Sequence, residues 1–267
     1  MAFSVNTNTG AMAALQNLSA TNRGLETTQS RINTGLRVSG TKDDSASYTI
    51  AQKLRGDVGG LAAVTSSLSR AKSTVDVAVA GAEQISDLMN QMKSKVLEGS
   101  DAGLDTASKA QITSDVTALQ SQIKSIIKSS SFNGTNLLDA SSGATASVAA
   151  LKSADTTDTL TVAHTDLASS LGNVASGTVT MADFATAEAN MKTLLSTLGS
   201  ASRQIDGQLS FTSKLSDVIE SGIGNLVDAD LAKESAKLQA LQVKQQLGLQ
   251  ALSIANQAPQ SIMSLFR

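Results

Sequence analysis

Residues 61–96 read LAAVTSSLSRAKSTVDVAVAGAEQISDLMNQMKSKV, and their apolar side chains follow one strict spacing. Apolar residues recur at alternating intervals of three and four positions, from Leu61 through to Val96. Because the interval averages 3.5 residues, these side chains fall on one narrow stripe of an α-helix, as in the seam of a coiled coil. At 1.5 Å per residue, the segment predicts a rod roughly 55 Å long.

Two further seams have the same alternating interval. One runs from Ile112 to Ile126 and the other from Phe184 to Ile219. The glycines of EGSDAG (98–103) end the first rod, and TMAD (180–183) forms a capping box that opens the third. Three long seams predict a side-by-side helical bundle.

The stretch 131–179 has a different pattern. Asn133-Gly134 is a turn dipeptide, and the segments TASVAALK (145–152) and DTLTVAH (158–164) alternate in polarity. We expect a small hairpin joined by SADTTD (153–158), followed by a loose loop. The predicted fold class is therefore mainly α: a long antiparallel helical or coiled-coil bundle with a small β-hairpin and with its N- and C-terminal helices paired.

Both chain ends also carry seams. The N-terminal seam runs from Leu15 to Leu36 and includes the polar residues Asn22 and Gln29. The C-terminal seam consists of Leu238, Leu241, Gln245, Gly248, Leu252 and Ala255, whereas Leu247, Leu249, Ile254 and Ile262 lie on other faces. A helix with apolar residues on several faces needs more than one neighbour, which favours an assembly element. The alternative is a terminal helix that simply docks on its own domain.

Composition excludes several functional classes. With 21 basic and 23 acidic residues, the chain lacks the positive charge that nucleic-acid binding requires. It has no cysteine, one histidine (His164) and no apolar stretch near the ~20 residues of a membrane span. Asp43-Asp44 has no third carboxylate or histidine nearby in the sequence. We therefore expect neither an enzyme nor a metal or cofactor site.

Three stretches resemble bacterial flagellin. VNTNTGAMAALQNLSATNRGLETTQSRINTGLRVSGTKDDSASYTIAQKLRGDVGGL (5–61) resembles the N-terminal signature of that family. FNGTNLL (132–138) resembles the segment that opens its hairpin, and residues 227–267, which end in SIANQAPQSIMSLFR, resemble its C-terminal signature. The resemblance covers residues 3–139 and 184–267, which is most of the chain.

The resemblance implies a layered organisation. Residues 1–38 with 226–267 would form a terminal coiled coil in the inner core of a tubular filament. Residues 39–139 with 184–225 would form a helical rod domain, and 140–183 would stand in place of the outer domains of larger flagellins. The chain is thus similar to a short flagellin.

The function implied is that of an extracellular structural subunit that self-assembles into the flagellar filament for motility. The first residues show no Sec-type signal, and the resemblance implies unfolded export through the flagellar type III apparatus. Implied partners are other flagellin copies, the filament cap, hook-associated junction proteins and a secretion chaperone, with no nucleic acid and no membrane insertion. The main alternative is a hook–filament junction protein; a secreted enzyme or a different coiled-coil binder lacks supporting motifs.

Polar residues in RINTGLRVSGTKDDSASYTIAQKLR (31–55) suggest contacts of their own. Asp43 or Asp44 should cap a helix beginning near Ser45, and the arginines would meet carboxylates of a neighbouring subunit. Ser and Thr within 141–180 are candidates for O-glycosylation. The predicted inter-subunit residues are Leu15, Leu18, Leu25, Ile32, Leu36, Arg31, Arg37, Asp43, Asp44, Leu238, Leu241, Leu249, Leu252, Ile254, Ile262, Leu265 and Phe266.

Overall fold

The computed structural model describes residues 7–139, 147–155, 157–176 and 178–265, which are mainly α-helical as predicted. The elements in chain order are α1 (Thr9–Thr34), α2 (Ser45–Gly99), α3 (Thr106–Ser129), β1 (Ser131–Phe132), β2 (Thr135–Asn136), β3 (Ser147–Leu151), β4 (Thr159–Ala163), α4 (Leu167–Leu171), α5 (Asn173–Ser176), α6 (Met181–Val227) and α7 (Leu231–Leu265). The chain divides into a central unit, residues 57–218, and a terminal unit, residues 1–56 with 219–267.

The predicted seams form the core of the central unit. From Leu61 to Met92, every seam residue of α2 is at most 6% exposed, and only Val96 at the end is partly exposed. Phe184 and Leu198 of α6 are buried in the same core. The alternating spacing therefore identified the inward faces of these two helices correctly, because narrow stripes of apolar side chains are buried only where helices face each other.

The helix ends form where the local sequence indicates. The hydroxyl and backbone N–H of Thr180 both donate to the Asp183 carboxylate, which is one half of the predicted capping box at the start of α6, while the Asp183 N–H donates to the Thr180 backbone carbonyl. Asp105 caps α3 by accepting from the backbone N–H of Ser108 at 3.2 Å. The loop of residues 100–105, which contains Gly103, separates α2 from α3.

The structure has two hairpins, the predicted one and a shorter one at the predicted turn dipeptide. Asn133 and Gly134 have positive φ angles of 49° and 78° and connect β1 to β2, as this dipeptide favours. Strands β3 and β4 pair antiparallel, with Val148 opposite Val162, as predicted from the alternation. Ala150 and Val162 point into the core of the central unit.

The loose loop predicted after the hairpin is wrong in part, because α4 and α5 lie there. Leu167, Leu171 and Val174 of these helices are fully buried in the core. Asp166 caps α4, and Asn190 of α6 donates to the Ser170 carbonyl at 2.6 Å. Helices of five and four residues are too short to show a helical period in a segment rich in Ser, Gly and Ala.

Within the described ranges, none of the helices combines the length and apolarity that crossing a bilayer requires. Among these same residues, no group of three or more acidic or histidine side chains is arranged to hold a metal ion.

Candidate functional site: the terminal helix pair

Helices α1 and α7 form an antiparallel pair within the terminal unit. Asn8 donates to the Ala255 carbonyl at 2.8 Å, and Gln245 donates to the Asn22 side chain at 2.8 Å. The contacts move to lower residue numbers on α7 as they move to higher residue numbers on α1. The two chain ends therefore build one coiled coil, as the predicted fold class states.

Small residues bring the two helices close together. A Cβ built on Gly24 would lie 3.5 Å from the methyl groups of Leu241, and one built on Gly248 would lie 3.4 Å from Leu18. Each leucine thus packs directly over a glycine of the opposite helix. Glycine costs a helix about 1 kcal/mol relative to alanine, and here that cost accompanies a tight interface.

The inward face of α7 is the predicted seam, but that of α1 is rotated. Leu238 and Leu252 are partly buried on α7, whereas Leu15 on α1 is 58% exposed. The inward positions of α1 are Ala11, Ala14, Leu18, Thr21, Gly24, Leu25 and Thr28, and Asn22 and Gln29 are exposed. Close approach selects the small side chains of α1, so ranking positions by apolarity alone misplaced its seam.

Large apolar side chains remain uncovered on this pair. On α7, Val243, Leu247 and Ile254 form an outward stripe and are 56%, 58% and 69% exposed. Helical geometry places them on the face opposite the one that contacts α1. On α1, Met12 and Leu15 are similarly exposed and face away from α7. One chain alone therefore leaves apolar surface on both sides of its terminal coiled coil.

A polar cluster is buried in the pair near the start of α7. Arg31 donates from Nη1 to Oε1 of Glu234 at 3.1 Å, and the Glu234 side chain is only 11% exposed. Thr28, one turn before Arg31, is fully buried. The carboxylate partner of Arg31 thus belongs to the same chain, whereas the sequence suggested a neighbour's carboxylate.

The crossing is the place where residues 35–38, after α1, meet residues 226–229, at the end of α6 and just after it, and backbone contacts hold it together. Gly35, at a φ of 71°, ends α1 in the left-handed conformation that suits glycine. Leu36 bridges Asp228, and the Arg37 backbone N–H donates to the Val227 carbonyl at 2.7 Å. The Arg37 side chain donates to the Leu226 carbonyl at 2.7 Å, so it caps the end of α6 within the chain.

Asp43 and Asp44 have separate local roles. Asp44 caps α2, as predicted, by accepting from the backbone N–H groups of Ala46 and Ser47. Its pKa lies below the usual value, chiefly because the Ser47 hydroxyl donates to the carboxylate. Asp43 accepts from the backbone N–H and the hydroxyl of Ser39, and these hydrogen bonds, the backbone one first, lower its pKa too.

Glu234 and Thr28 were not predicted from the sequence. Glu234 lies one turn before Leu238 and in phase with the predicted seam, which was its only signal, because its partner Arg31 is 203 positions away. Ile262 and Leu265 belong to α7, while the predicted assembly residue Phe266 lies outside the described residues.

A mainly helical chain whose terminal helices pair and leave apolar side chains exposed belongs to the class of coiled-coil proteins. Comparison with known protein families gives two matches, which together cover most of the chain. Residues 5–143 match the bacterial flagellin N-terminal helical region, and residues 179–266 match the bacterial flagellin C-terminal helical region. The chain belongs to the bacterial flagellin family, and its role as a structural subunit of the flagellar filament follows.

Individual relatives span the whole chain. Flagellin FljM of Caulobacter vibrioides is 44% identical over 272 residues, covering 99% of this chain and 98% of that one. A flagellin of Brucella melitensis is 39% identical over 282 residues, covering 99% of each. A crystal structure of Bacillus cereus flagellin matches with a TM-score of 0.38 at 21% identity, covering 64% of this chain and 93% of that one. None of these findings favours a hook–filament junction protein.

Proposed function

We propose that this flagellin polymerises through the outward faces of its terminal helix pair. The supporting observation is the outward stripe of α7 together with Met12 and Leu15, which no part of the described chain covers. Leu15, Leu249 and Ile254 of the predicted assembly residues would meet neighbouring copies, whereas Leu18, Leu241 and Leu252 build the pair itself.

The exposed area suits many weak contacts rather than one strong contact. Burying a whole side chain of this size is worth about 1.5–3 kcal/mol, so the exposed halves of the five side chains offer about 4–8 kcal/mol. Association of two proteins costs roughly 4–15 kcal/mol in lost freedom. A single contact is therefore marginal, and repeated contacts with several copies, as in a helical polymer, make assembly favourable.

The crossing segment would act indirectly in this assembly. Arg31, Arg37, Asp43 and Asp44 already have partners within the chain, so they orient the helix pair and the start of α2. Contacts between these residues and a neighbour would add to the intramolecular ones, since each carboxylate or guanidinium has further hydrogen-bonding capacity.

The cellular setting follows from the family as a proposal. The chain would leave the cell through the flagellar type III apparatus with a secretion chaperone, fold beneath the filament cap, and adjoin hook-associated junction proteins at the filament base. It would act outside the cell and without enzymatic activity. Any O-linked glycan would be attached to Ser or Thr within 141–180; positions 141–146, 156 and 177 of that range lie outside the described residues. An intact mass equal to the sequence mass would contradict glycosylation.

Seeded polymerisation tests the proposal. Intact chain, a truncation lacking 226–267 and the double variant L247Q/I254Q are incubated with short flagellar seeds and followed by electron microscopy and sedimentation. We expect long filaments from the intact chain only.

The matched control is Q242A/Q246A, which changes exposed polar residues of the same helix and should polymerise like the intact chain. Polymerisation of L247Q/I254Q at the normal rate would refute the role of the outward stripe. An intact chain that binds seeds without elongating them would favour a junction protein.

A further inference from the structure

The polar cluster of Thr28, Arg31 and Glu234 contains buried polar atoms that do not stabilise the fold. Thr28 Oγ1, Arg31 Nε and Glu234 Oε2 are buried, and none of the three has a hydrogen-bond partner among the described residues. Lys237 approaches Glu234 Oε2 only to 3.9 Å. A buried ion pair with unsatisfied groups is a poor source of stability, and its best-attested use is to select one packing over others.

Helix α7 needs such a selection because it has two apolar faces. The inward face carries Leu238, Leu241 and Leu252, but it also carries the charged Glu234 and the polar Gln245. The opposite face holds Val243, Leu247 and Ile254, with Ala236 and Ala240 in phase and no charged residue. Burial of apolar area alone therefore does not decide which of the two faces turns towards α1.

We propose that the Arg31–Glu234 pair, supported by Thr28, determines which face of α7 meets α1. Only the observed rotation places the Glu234 carboxylate against the Arg31 guanidinium. Turning the outward stripe inward would separate the two charges and leave the partly buried Arg31 side chain, whose Nε is enclosed, without its carboxylate partner, which is unfavourable.

The consequence concerns assembly, and this step rests on the proposed function. By holding the charged face inward, the pair keeps the outward stripe available to other copies. Arg31 and Glu234 are thus positioning residues for polymerisation, because they act through the orientation of α7.

The backbone contacts at the crossing do not themselves set the rotation of α7. The Leu36–Asp228 bridge and the 2.9 Å hydrogen bond from Ala229 N–H to the Gly35 carbonyl both precede α7, which begins at Leu231. They fix where the chain crosses, and Asp230, which caps α7 through its side chain, is the one residue between them and the helix. A turn of α7 about its own axis would therefore require a change in the backbone dihedral angles at this residue. The first inward side chain after the crossing is Glu234 itself.

The orientation of α7 can be measured by disulfide trapping, because the chain has no cysteine of its own. A Cβ on Gly10 lies 3.9 Å from Cβ of Ala255, within the distance that a disulfide spans, so G10C/A255C reports the observed face. Turning the outward stripe inward brings Gln257 towards Gly10, so G10C/Q257C reports the opposite face. Both reporter pairs are made in the full-length chain and oxidised at concentrations that keep it monomeric.

Each reporter pair is combined with E234Q, with R31Q and with the charge-swapped pair R31E/E234R. We expect either single substitution to shift the ratio of the two crosslinks by about tenfold towards G10C/Q257C, since a buried charge loses its partner. The swapped pair should restore the original ratio. D206N, which removes a solvent-exposed ion pair with Lys72 in the central unit, is the matched control and should leave the ratio unchanged.

Two results would overturn the inference. One is an unchanged crosslink ratio in E234Q and R31Q. The other is loss of both crosslinks together with helix content, which would show that the pair holds the helices together without choosing a face. The crosslinks are measured on monomers, so failure of the parent chain to elongate seeds would refute the proposed function while leaving the orientation result intact.

Discussion

Gly81 of α2 lies against Ser130 and Leu138 in the segment that follows α3. A Cβ at this position would lie 2.3 Å from Ser130 Oγ and 3.1 Å from both Ser130 Cβ and Leu138 Cδ1. Ser130 is itself buried, and its hydroxyl donates to the Ile126 carbonyl at 2.7 Å. Replacing Gly81 with alanine therefore forces more than the rotation of one hydroxyl.

The magnitude follows from three contributions to the free energy of unfolding. Overpacking in a well-packed core costs about 1–3 kcal/mol. Turning the Ser130 hydroxyl away from Ile126 loses a hydrogen bond worth about 1 kcal/mol. Alanine regains about 1 kcal/mol of helix propensity over glycine. We expect G81A to destabilise the chain by about 1–3 kcal/mol.

Gly207 provides the matched control, because it is also in the middle of a long helix of the central unit. Apart from the backbone of its own helix turn, no atom of the described residues lies within 4 Å of its Cβ position, so G207A gains the helix propensity without a clash. We expect G207A to stabilise the chain by up to about 1 kcal/mol. In a domain of this size, each kcal/mol corresponds to about 2–4 °C in Tm, so thermal and urea unfolding monitored by circular dichroism resolves the two variants.

The reasoning fails if G81A is as stable as the parent chain, or if G81A and G207A shift stability in the same direction. The double variant G81A/S130G adds a second check. It removes the Ser130 side chain, so it should recover part of the stability that G81A loses, whereas independent effects would simply add.

Three further outcomes are expected. F184A should cost about 3–5 kcal/mol of unfolding free energy in urea melts, because Phe184 is fully buried in the core of the central unit. N136A should cost about 2–3 kcal/mol in the same assay, because the buried Asn136 side chain donates to the Ile127 carbonyl at 2.7 Å and accepts from the Leu138 N–H at 2.8 Å. The pKa of Asp44 is lowered by folding, so its cap contributes fully above the ordinary value of 3.8 and is lost as pH falls through the folded value. The protection of amides at the start of α2, measured against the intrinsic exchange rate at each pH, should fall below pH 3.8 in the parent chain, but this acid step should be absent in D44N.

The long helices were predictable because their information is local and repeated. The spacing from Leu61 to Met92 recurs over nine turns, and every one of those side chains is buried in the structure. The caps at Asp44 and Asp183 were predictable for a similar reason, since a capping side chain bonds to backbone within three residues of itself. The family signatures at both chain ends likewise consist of contiguous residues.

Other features depend on residues that are distant in the sequence. The inward face of α1 is decided by the close approach of Leu241 to Gly24, so Leu15 turns outward although it continues the apolar spacing. Helices α4 and α5 form because Leu167 and Val174 complete a core built by other helices, and their own few residues carry no periodic signal.

Residue order alone therefore established the helical class, the seams of α2 and α6, the β3–β4 hairpin and the flagellin family, because each is written in short-range spacing or contiguous motifs. In α3 the spacing was only partly right, since Gln120 and Ile127 are buried where Leu119 and Ile126 were predicted. Tertiary structure decided which faces of α1 and α7 meet, and hence which apolar side chains stay available for assembly. The physical reason is that α7 offers two faces of comparable apolarity. Only the packing of a leucine over a glycine and the pairing of Glu234 with Arg31, 203 positions apart, distinguish them.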